Sequence, residues 1–119
     1  MILTVLEALV QPGNEEALLA AYRDAATRSR PIGLVHSELQ RDARDPARWR
    51  IQTWWSSREA LDAMRRLGTP EGVLMFRAAG AEPTLALFKI VERIAEQVSA
   101  DELEMIVRTN ALDMLGLAD

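Results

Sequence analysis

The stretch Ile51-Gln-Thr-Trp-Trp-Ser-Ser-Arg-Glu-Ala-Leu-Asp-Ala-Met64 is the most informative part of this sequence. β-Branched and aromatic residues fill its first five positions, which favours the end of a strand on a packed surface. Ser56 and Glu59 match a capping box. In this motif the serine hydroxyl accepts a hydrogen bond from the Glu59 amide, and the glutamate side chain accepts one from the serine amide. Leu61 and Met64 then recur at helical spacing. The stretch predicts a strand, a short junction and a capped helix, and its two adjacent tryptophans mark the junction as a candidate pocket.

The composition of the chain excludes several classes of protein. Its 119 residues indicate one domain, and its net charge of −4 argues against nucleic acid as a partner. With one histidine and no cysteine, neither a multi-histidine metal site nor a disulfide framework can form. No apolar run approaches the roughly 18 residues of a membrane span, and no basic segment precedes the first apolar residues. We expect a cytoplasmic protein without a metal, a cofactor or a membrane partner.

The order of the predicted elements indicates an α+β fold. Apolar patterns predict strands at 2–10, 34–40, 49–55 and 84–91, with helices that follow Asn14, Ser56 and Thr69. This βαββαβ order is the split unit of a ferredoxin-like domain, in which the helices cover one face of the sheet. The strands are apolar on both faces, so the second face needs a cover. A second copy of the sheet is the simplest cover, and we therefore expect a symmetric homodimer.

The last part of the chain adds to this unit. Ser99 and Glu102 match a second capping box, and Leu103, Ile106 and Val107 follow at helical spacing. We expect a ferredoxin-like domain at residues 1–93 and a C-terminal helical extension at residues 94–119.

Three motifs carry a resemblance to a known family. They are Gln-Pro-Gly-Asn-Glu-Glu after the first strand, Arg-Asp-Ala-Arg-Asp-Pro-Ala-Arg in the hairpin, and Trp-Trp-Ser-Ser-Arg-Glu-Ala-Leu at the junction. Through them, residues 2–92 resemble the antibiotic biosynthesis monooxygenase (ABM) domains of the dimeric α+β barrel superfamily. The resemblance implies the fold more strongly than the chemistry, because the family also holds members with no known activity.

The resemblance also implies a chemistry. Members that act on polyketide anthrones or quinols use molecular oxygen without a metal or a flavin, because the deprotonated substrate supplies the electrons. Trp55 falls on the tryptophan of their pocket, and Arg77 falls near an arginine that would stabilise an anionic oxygen. This chain departs from them at Ile51, where they have an asparagine, and at Leu61, where they have a tyrosine.

A second departure concerns the haem-degrading relatives. They need an asparagine on the first strand and a histidine after the second helix, where this chain has Leu6 and Gly80. Haem degradation by that arrangement is therefore not expected.

Two polar residues are candidate proton acceptors. His36 is a candidate because histidine is the residue type that ordinarily gains and loses a proton near neutral pH. Alternation places it on one face with Leu34, and a packed or surface role is the alternative. Glu7 interrupts an apolar strand, so it is either a functional acid or base, or the partner of an arginine such as Arg50. For Arg77, the alternatives are an anion clamp or a solvated ion pair with Glu71 or Glu82.

Four side chains are the predicted substrate-binding residues. Trp55 either lines the pocket or fills the core, while Trp54 should face the opposite side of the strand, toward a dimer interface or solvent. The other three are Tyr22, Leu61 and Phe76.

Two hypotheses from different classes follow. The first is a cofactor-independent monooxygenase that acts on a small aromatic or polyketide-type substrate, with His36, Glu7 and Arg77 as catalytic residues. The second is a non-catalytic dimeric module that binds a small apolar ligand or serves as an accessory subunit. A cyclase or isomerase on the same scaffold is a further alternative, since one fold hosts several reactions.

Overall fold

The computed structural model of this chain describes residues 1–28 and 30–93, and residues Met1–Lys89 form a compact unit. The predicted helix at 94–119 lies outside the described residues. None of the described helices is long and apolar enough to cross a membrane. The elements, in chain order, are β1 (Ile2–Leu9), α1 (Glu15–Ala26), β2 (Leu34–Arg41), β3 (Arg48–Trp55), α2 (Arg58–Arg66), α3 (Glu71–Ala78) and β4 (Thr84–Lys89).

The four strands form one antiparallel sheet in the order β2-β3-β1-β4. This is the strand order of a ferredoxin-like unit, in which β3 lies between β2 and β1, and β4 lies on the other side of β1. The predicted α+β fold class is confirmed, with two consecutive helices, α2 and α3, in the second crossover.

One face of the sheet carries the hydrophobic core, and we call it the helix face. Leu6 on β1 lies opposite Ile51 on β3, and Ala8 lies opposite Trp49. These four buried residues pack with Leu18 of α1 and Phe76 of α3, which are fully buried. A Cβ built on Gly72 would lie 2.6 Å from Leu6 Cδ1, so the absence of a side chain there lets α3 lie close against β1.

The opposite face, which we call the open face, divides into two halves. On β1 and β4 it presents Leu3, Val5 and Phe88, and Phe88 is 53% exposed. On β2 and β3 its residues are mostly polar, since His36 lies opposite Trp54 and Glu38 opposite Gln52. The prediction of strands apolar on both faces is therefore wrong for β2 and β3, although Trp54 lies on the predicted side.

The junction before α2 differs from the predicted capping box by one residue. Ser57, not Ser56, is the N-cap, and its hydroxyl accepts a hydrogen bond from the Ala60 amide at 3.1 Å. The reason is that the Ser56 amide donates to the Gly33 carbonyl at 2.8 Å, which keeps Ser56 beside the sheet for one more residue. The prediction of a Ser56–Glu59 box is wrong, while the predicted helix after a strand-end tryptophan is confirmed.

The start of β2 contains a second difference. Leu34 lies opposite Trp55 and His36 lies opposite Trp54, so Val35 is an extra residue in the ladder. Such a bulge shifts the alternation of the side chains, because two residues of β2 then lie opposite one residue of β3. Leu34 and His36 consequently lie on opposite faces, and the prediction that they share one is wrong.

Candidate functional site

The sheet separates the predicted site residues into two groups. Trp55 and Tyr22 belong to the helix face, whereas His36 and Glu7 lie on the open face. Because side chains alternate along a strand, neighbouring Trp54 and Trp55 mark these two faces. The structure does not bring Trp55 together with His36 or Glu7.

Three hydroxyl side chains lie side by side across the helix face, and we call them the hydroxyl row: Thr4 on β1, Thr53 on β3 and Ser37 on β2. Ser37 Oγ and Thr53 Oγ1 are 3.2 Å apart, and the Tyr22 hydroxyl donates to Ser37 Oγ at 3.3 Å. Thr4 and Thr53 are buried, while Ser37 and Tyr22 are half-buried. The row thus runs from buried Thr4 to half-buried Ser37 beneath Tyr22 of α1, and we call this half-buried end the rim.

Trp55 closes the other end of the row. Its ring is 3% exposed, and its Nε1 donates to Thr4 Oγ1 at 3.2 Å. Thr4 Oγ1 in turn donates to the Thr53 carbonyl at 3.4 Å. The indole N–H is therefore already satisfied within the protein, and because Trp55 is buried, a ligand can reach its ring only after neighbouring side chains move.

The hydroxyl row was missed by reasoning from the sequence. Thr4, Ser37 and Thr53 each stand alone in a different predicted strand. In each strand, the hydroxyl residue lies on the same face as the apolar core residues, and the sequence shows this alternation. The three residues become neighbours only through the pairing register of the strands, which the sequence does not show.

The apolar members of the predicted site are core residues of the helix face. Leu61 is 2% exposed, and Phe76 is fully buried within the main core cluster. Ile51, at the position of the asparagine that the ABM resemblance implies, is 4% exposed and packs in the same cluster. This part of the helix face therefore supplies apolar surface rather than hydrogen bonds.

Arg77 lies in the last turn of α3 and is half exposed. Its Nε and Nη2 donate to the two Glu82 oxygens at 2.9 and 3.0 Å, a bidentate pair that lowers the pKa of Glu82. Glu71, the other predicted partner, instead accepts from Arg28 at 2.7 Å. The pair uses the Nε and Nη2 donors of Arg77, and its Nη1 donors have no acceptor within the described residues.

His36 sits in a polar cluster on the open face. Its Nε2 lies 2.8 Å from Glu38 Oε2, and its ring centroid lies 5.1 Å from that of Trp54. Gln40 also donates to Glu38 at 2.8 Å. The contact with His36, followed by the bond from Gln40, lowers the pKa of Glu38.

Glu7 is held by two arginines of β3. Arg50 donates to its Oε2 from Nη2 at 2.9 Å and from Nε at 3.2 Å, and Arg48 donates to its Oε1 at 2.8 Å. These bonds, first from Arg50 and then from Arg48, lower the pKa of Glu7. The predicted pairing with Arg50 is confirmed. A carboxylate held ionised in this way is a weaker proton acceptor, because its affinity for a proton is reduced.

Glu7 makes a testable contribution to stability as a function of pH. Its folded pKa lies below the ordinary 4.5, so its ionised form stabilises the fold above that pH, and the stabilisation disappears as pH falls through the folded pKa. Glu7→Gln lacks this contribution. We expect wild type to exceed Glu7→Gln in free energy of unfolding at pH 7, and the difference to shrink below about pH 4.5.

Urea unfolding at a series of pH values measures this difference. Glu16→Gln is the matched control, because no hydrogen bond or ion pair to the Glu16 side chain is seen within the described residues. A difference for Glu7→Gln that is independent of pH, or equal to that of Glu16→Gln, would contradict the prediction.

The comparisons with known proteins concern the family and the fold of this chain. A family model described as antibiotic biosynthesis monooxygenase matches residues 1–69, which is more than half of the chain. The chain belongs to this family. The match includes β1 to β3, and with them Glu7, Tyr22, His36, Trp55 and Leu61. No curated protein matches the ABM chain.

Solved structures show the same fold at low sequence identity. The ABM chain is 19% identical to SnoaB, a cofactor-independent oxygenase from Streptomyces nogalater, with a TM-score of 0.60 over 78% of this chain and 95% of that chain. A structure assigned as an antibiotic biosynthesis monooxygenase from Bordetella bronchiseptica is 21% identical, with a TM-score of 0.60 over 76% of this chain and 97% of that chain.

A third relative limits what the fold implies. A protein of unknown function from Bacteroides thetaiotaomicron is 21% identical, with a TM-score of 0.58 over 75% of this ABM chain and 96% of that chain. Because an oxygenase and a protein of unknown function share this architecture, the fold alone does not assign a reaction.

Proposed function

We propose that this ABM protein is a cofactor-independent monooxygenase that acts on a small aromatic or polyketide-type substrate. The observation that carries the proposal is the hydroxyl row, which joins Tyr22 at the half-buried rim to the buried ring of Trp55. An aromatic surface beside hydrogen-bond donors suits a planar, oxygen-bearing molecule. Membership in the family and the fold shared with SnoaB support this reading.

The proposed reaction needs little from the protein beyond binding. The deprotonated CH2 carbon adds to O2 in a two-electron step that forms a C–O bond and, after protonation, a hydroperoxide. Loss of the second hydrogen from the same carbon then breaks the O–O bond, so that one oxygen atom stays in the product as a carbonyl and the other leaves as water. The substrate supplies all four electrons. The protein must orient the ring and stabilise the anionic oxygen formed by deprotonation. Donors fixed in advance serve this purpose well, because they do not have to reorganise as charge develops.

A count of protons identifies the available donor. Tyr22, Ser37 and Thr53 carry three hydroxyl protons, and two hydrogen bonds join the three oxygens. Whichever of Ser37 and Thr53 donates to the other, one hydroxyl proton has no protein acceptor within the described residues. A hydroxyl can rotate this proton toward a ligand, so we assign it to the substrate oxygen.

The proton acceptor depends on which face binds the substrate. His36, the acceptor proposed from the sequence, requires a substrate on the open face, whereas Trp55 requires one on the helix face. Glu7 is disfavoured as the acceptor by its two arginine contacts. We propose the helix face as the binding face, with water at the half-buried rim beside Tyr22 as the proton acceptor and the unused Nη1 donors of Arg77 as an anion partner.

The adjacent tryptophans give a matched experiment. Oxygen uptake is measured with anthrones and hydroquinones for wild type, Trp55→Phe and Trp54→Phe. For Trp55→Phe we expect kcat/KM to fall about tenfold or more, since a loss of 1.4 kcal/mol in transition-state stabilisation is tenfold in rate. For Trp54→Phe, on the opposite face, we expect a change of less than about twofold, a difference of under 0.5 kcal/mol.

Each other outcome has a definite meaning. Loss of activity in Trp54→Phe alone would move the site to the open face, beside His36. Wild-type uptake no faster than the spontaneous reaction on every substrate, together with quenching of tryptophan fluorescence by the same compounds, would support the second candidate function.

That second candidate is a non-catalytic module that binds a small apolar ligand. It is favoured by one observation, the burial of Ile51 and Leu61 at positions where active relatives are expected to carry polar side chains. A site with these residues retains shape and apolar surface but has fewer groups to stabilise an anion.

We also propose that the protein is a homodimer formed through its open faces. On the apolar half of that face, Leu3 lies opposite Phe88, which is 53% exposed, and Leu9, further along β1 on the same face, is 59% exposed, whereas Val5 is buried. Large exposed apolar side chains on one face of a sheet favour burial against a partner. A sedimentation velocity experiment at micromolar concentration measures the state directly, and a monomer there would contradict this proposal.

A further inference from the structure

A groove of about 270 Å³ lies where the β2–β3 hairpin turns beside β1. We call it the arginine groove, because four of its lining residues are arginines: Arg41, Arg44, Arg48 and Arg50. The other lining residues are Glu7, Gln40, Asp42 and Ala43. With four arginines and two carboxylates, the lining is positive at neutral pH, although the whole chain has a net charge of −4.

The carboxylates of the groove are already occupied. Both Glu7 oxygens accept hydrogen bonds from Arg48 or Arg50. Asp42 Oδ1 accepts the backbone amides of Arg44 and Asp45 at 2.7 and 3.0 Å. These bonds lower the pKa values of Glu7 and Asp42, so both stay ionised and bound to their internal donors. Asp42 keeps its charge and also interacts electrostatically with Arg48 and Arg44, so it offsets part of the positive charge of the lining.

One arginine of the lining is left with all of its side-chain donors on the open face. It is not Arg41, because Arg41 lies opposite Trp49 and its guanidinium carbon is 5.4 Å from the centroid of that ring, a cation–π contact on the helix face. Within residues 1–28 and 30–93, the Arg44 side chain has no hydrogen bond or ion pair. A guanidinium edge matches a carboxylate or phosphate through two parallel hydrogen bonds.

The groove is also ordered before any ligand enters. Trp49 is 6% exposed and fixed in the core, so Arg41 stacks on a rigid surface. Glu7 fixes Arg48 and Arg50, and Asp42 fixes the backbone of the hairpin loop. Order of this kind raises affinity because less side-chain freedom is lost on binding.

We propose that the arginine groove binds a small molecule through a compact anionic group, a phosphate monoester or a pair of neighbouring carboxylates. Arg44 supplies the unpaired guanidinium, and Arg48 and Arg50 extend the positive wall on the open face. The groove lies at the hairpin, and its assignment does not depend on the proposed monooxygenase reaction.

The proposal is tested by calorimetric titration with two probes, phenyl phosphate and succinate, at constant ionic strength. Saturable binding of either probe supports the site, and the preferred probe distinguishes phosphate from dicarboxylate. For Arg44→Ala we expect Kd to rise about tenfold, since a charge-assisted hydrogen bond contributes enough for roughly one factor of ten, and for Arg41→Ala, whose side chain is on the other face, we expect a change of less than about twofold.

The control removes charge elsewhere. Arg65→Ala/Arg66→Ala lies in the last turn of α2, away from the groove, and we expect its Kd to stay within about twofold of wild type, a difference of under 0.5 kcal/mol. Two results would overturn the proposal: the absence of saturable binding of both probes by wild type, or an equal loss in the control, which would indicate a general effect of charge. Circular dichroism verifies that each variant is folded.

Discussion

Phe76→Ala is expected to lower the free energy of unfolding by about 3–5 kcal/mol, the range found when a fully buried phenylalanine is truncated in a core. Phe76 has no exposed surface, and it packs in the cluster that joins α1 and α3 to the helix face. Its removal leaves a cavity that the surrounding strands can fill only partly. Urea unfolding followed by tryptophan fluorescence measures the loss.

Leu74 provides the control, because it belongs to the same helix and is 50% exposed. For Leu74→Ala we expect a loss of about 1 kcal/mol or less, as for substitutions outside the core. A loss for Phe76→Ala as small as that for Leu74→Ala would mean that position 76 borders open space. That result would support its predicted role in substrate binding over its role in the core.

Gly33→Ala is expected to lower the free energy of unfolding by about 2–5 kcal/mol, from backbone strain and overpacking together. Gly33 has a φ of +88°, which disfavours any side chain, and an added Cβ would lie 2.4 Å from Ala60 Cβ. Ala60 is in the first turn of α2 and cannot move without the helix. The substitution would therefore push α2 away from the start of β2.

Gly13 separates the two contributions to this loss. It has a φ of +96°, but no atom lies within 4 Å of an added Cβ, so Gly13→Ala introduces strain without a clash. We expect Gly13→Ala to cost about 1–2 kcal/mol, the usual penalty of the left-handed region. Equal losses for the two variants would show that α2 adjusts freely, and would contradict the close approach at Gly33.

The fold was predictable because its determinants are local or periodic. Alternation in the strands and the apolar stripes of the helices predict the element order, and that order restricts the strand arrangement to few topologies. Trp54 and Trp55 fall on the predicted opposite sides for the same reason. The pairing of Glu7 with Arg50 was also accessible, since a carboxylate on an apolar strand needs a cationic partner.

The errors arise where a local choice depends on a distant contact. The sequence favours Ser56 as the N-cap because Glu59 completes a capping box with it, but the bond from the Ser56 amide to Gly33 leaves Ser57 as the N-cap. Alternation alone could not place His36, because the bulge at Val35 changes the face on which it lies. The choice of Glu82 over Glu71 as partner of Arg77 likewise depends on Arg28, which takes Glu71.

The bulge at Val35 bears on how this protein avoids aggregation. β2 is an edge strand, and a regular edge offers a row of free backbone groups onto which a strand from another molecule can add. The extra residue breaks that row near its start, and Val35, itself 49% exposed, interrupts the spacing that a flat incoming strand would need. Deleting Val35 would restore an uninterrupted edge, and with it a template for the growth of fibres.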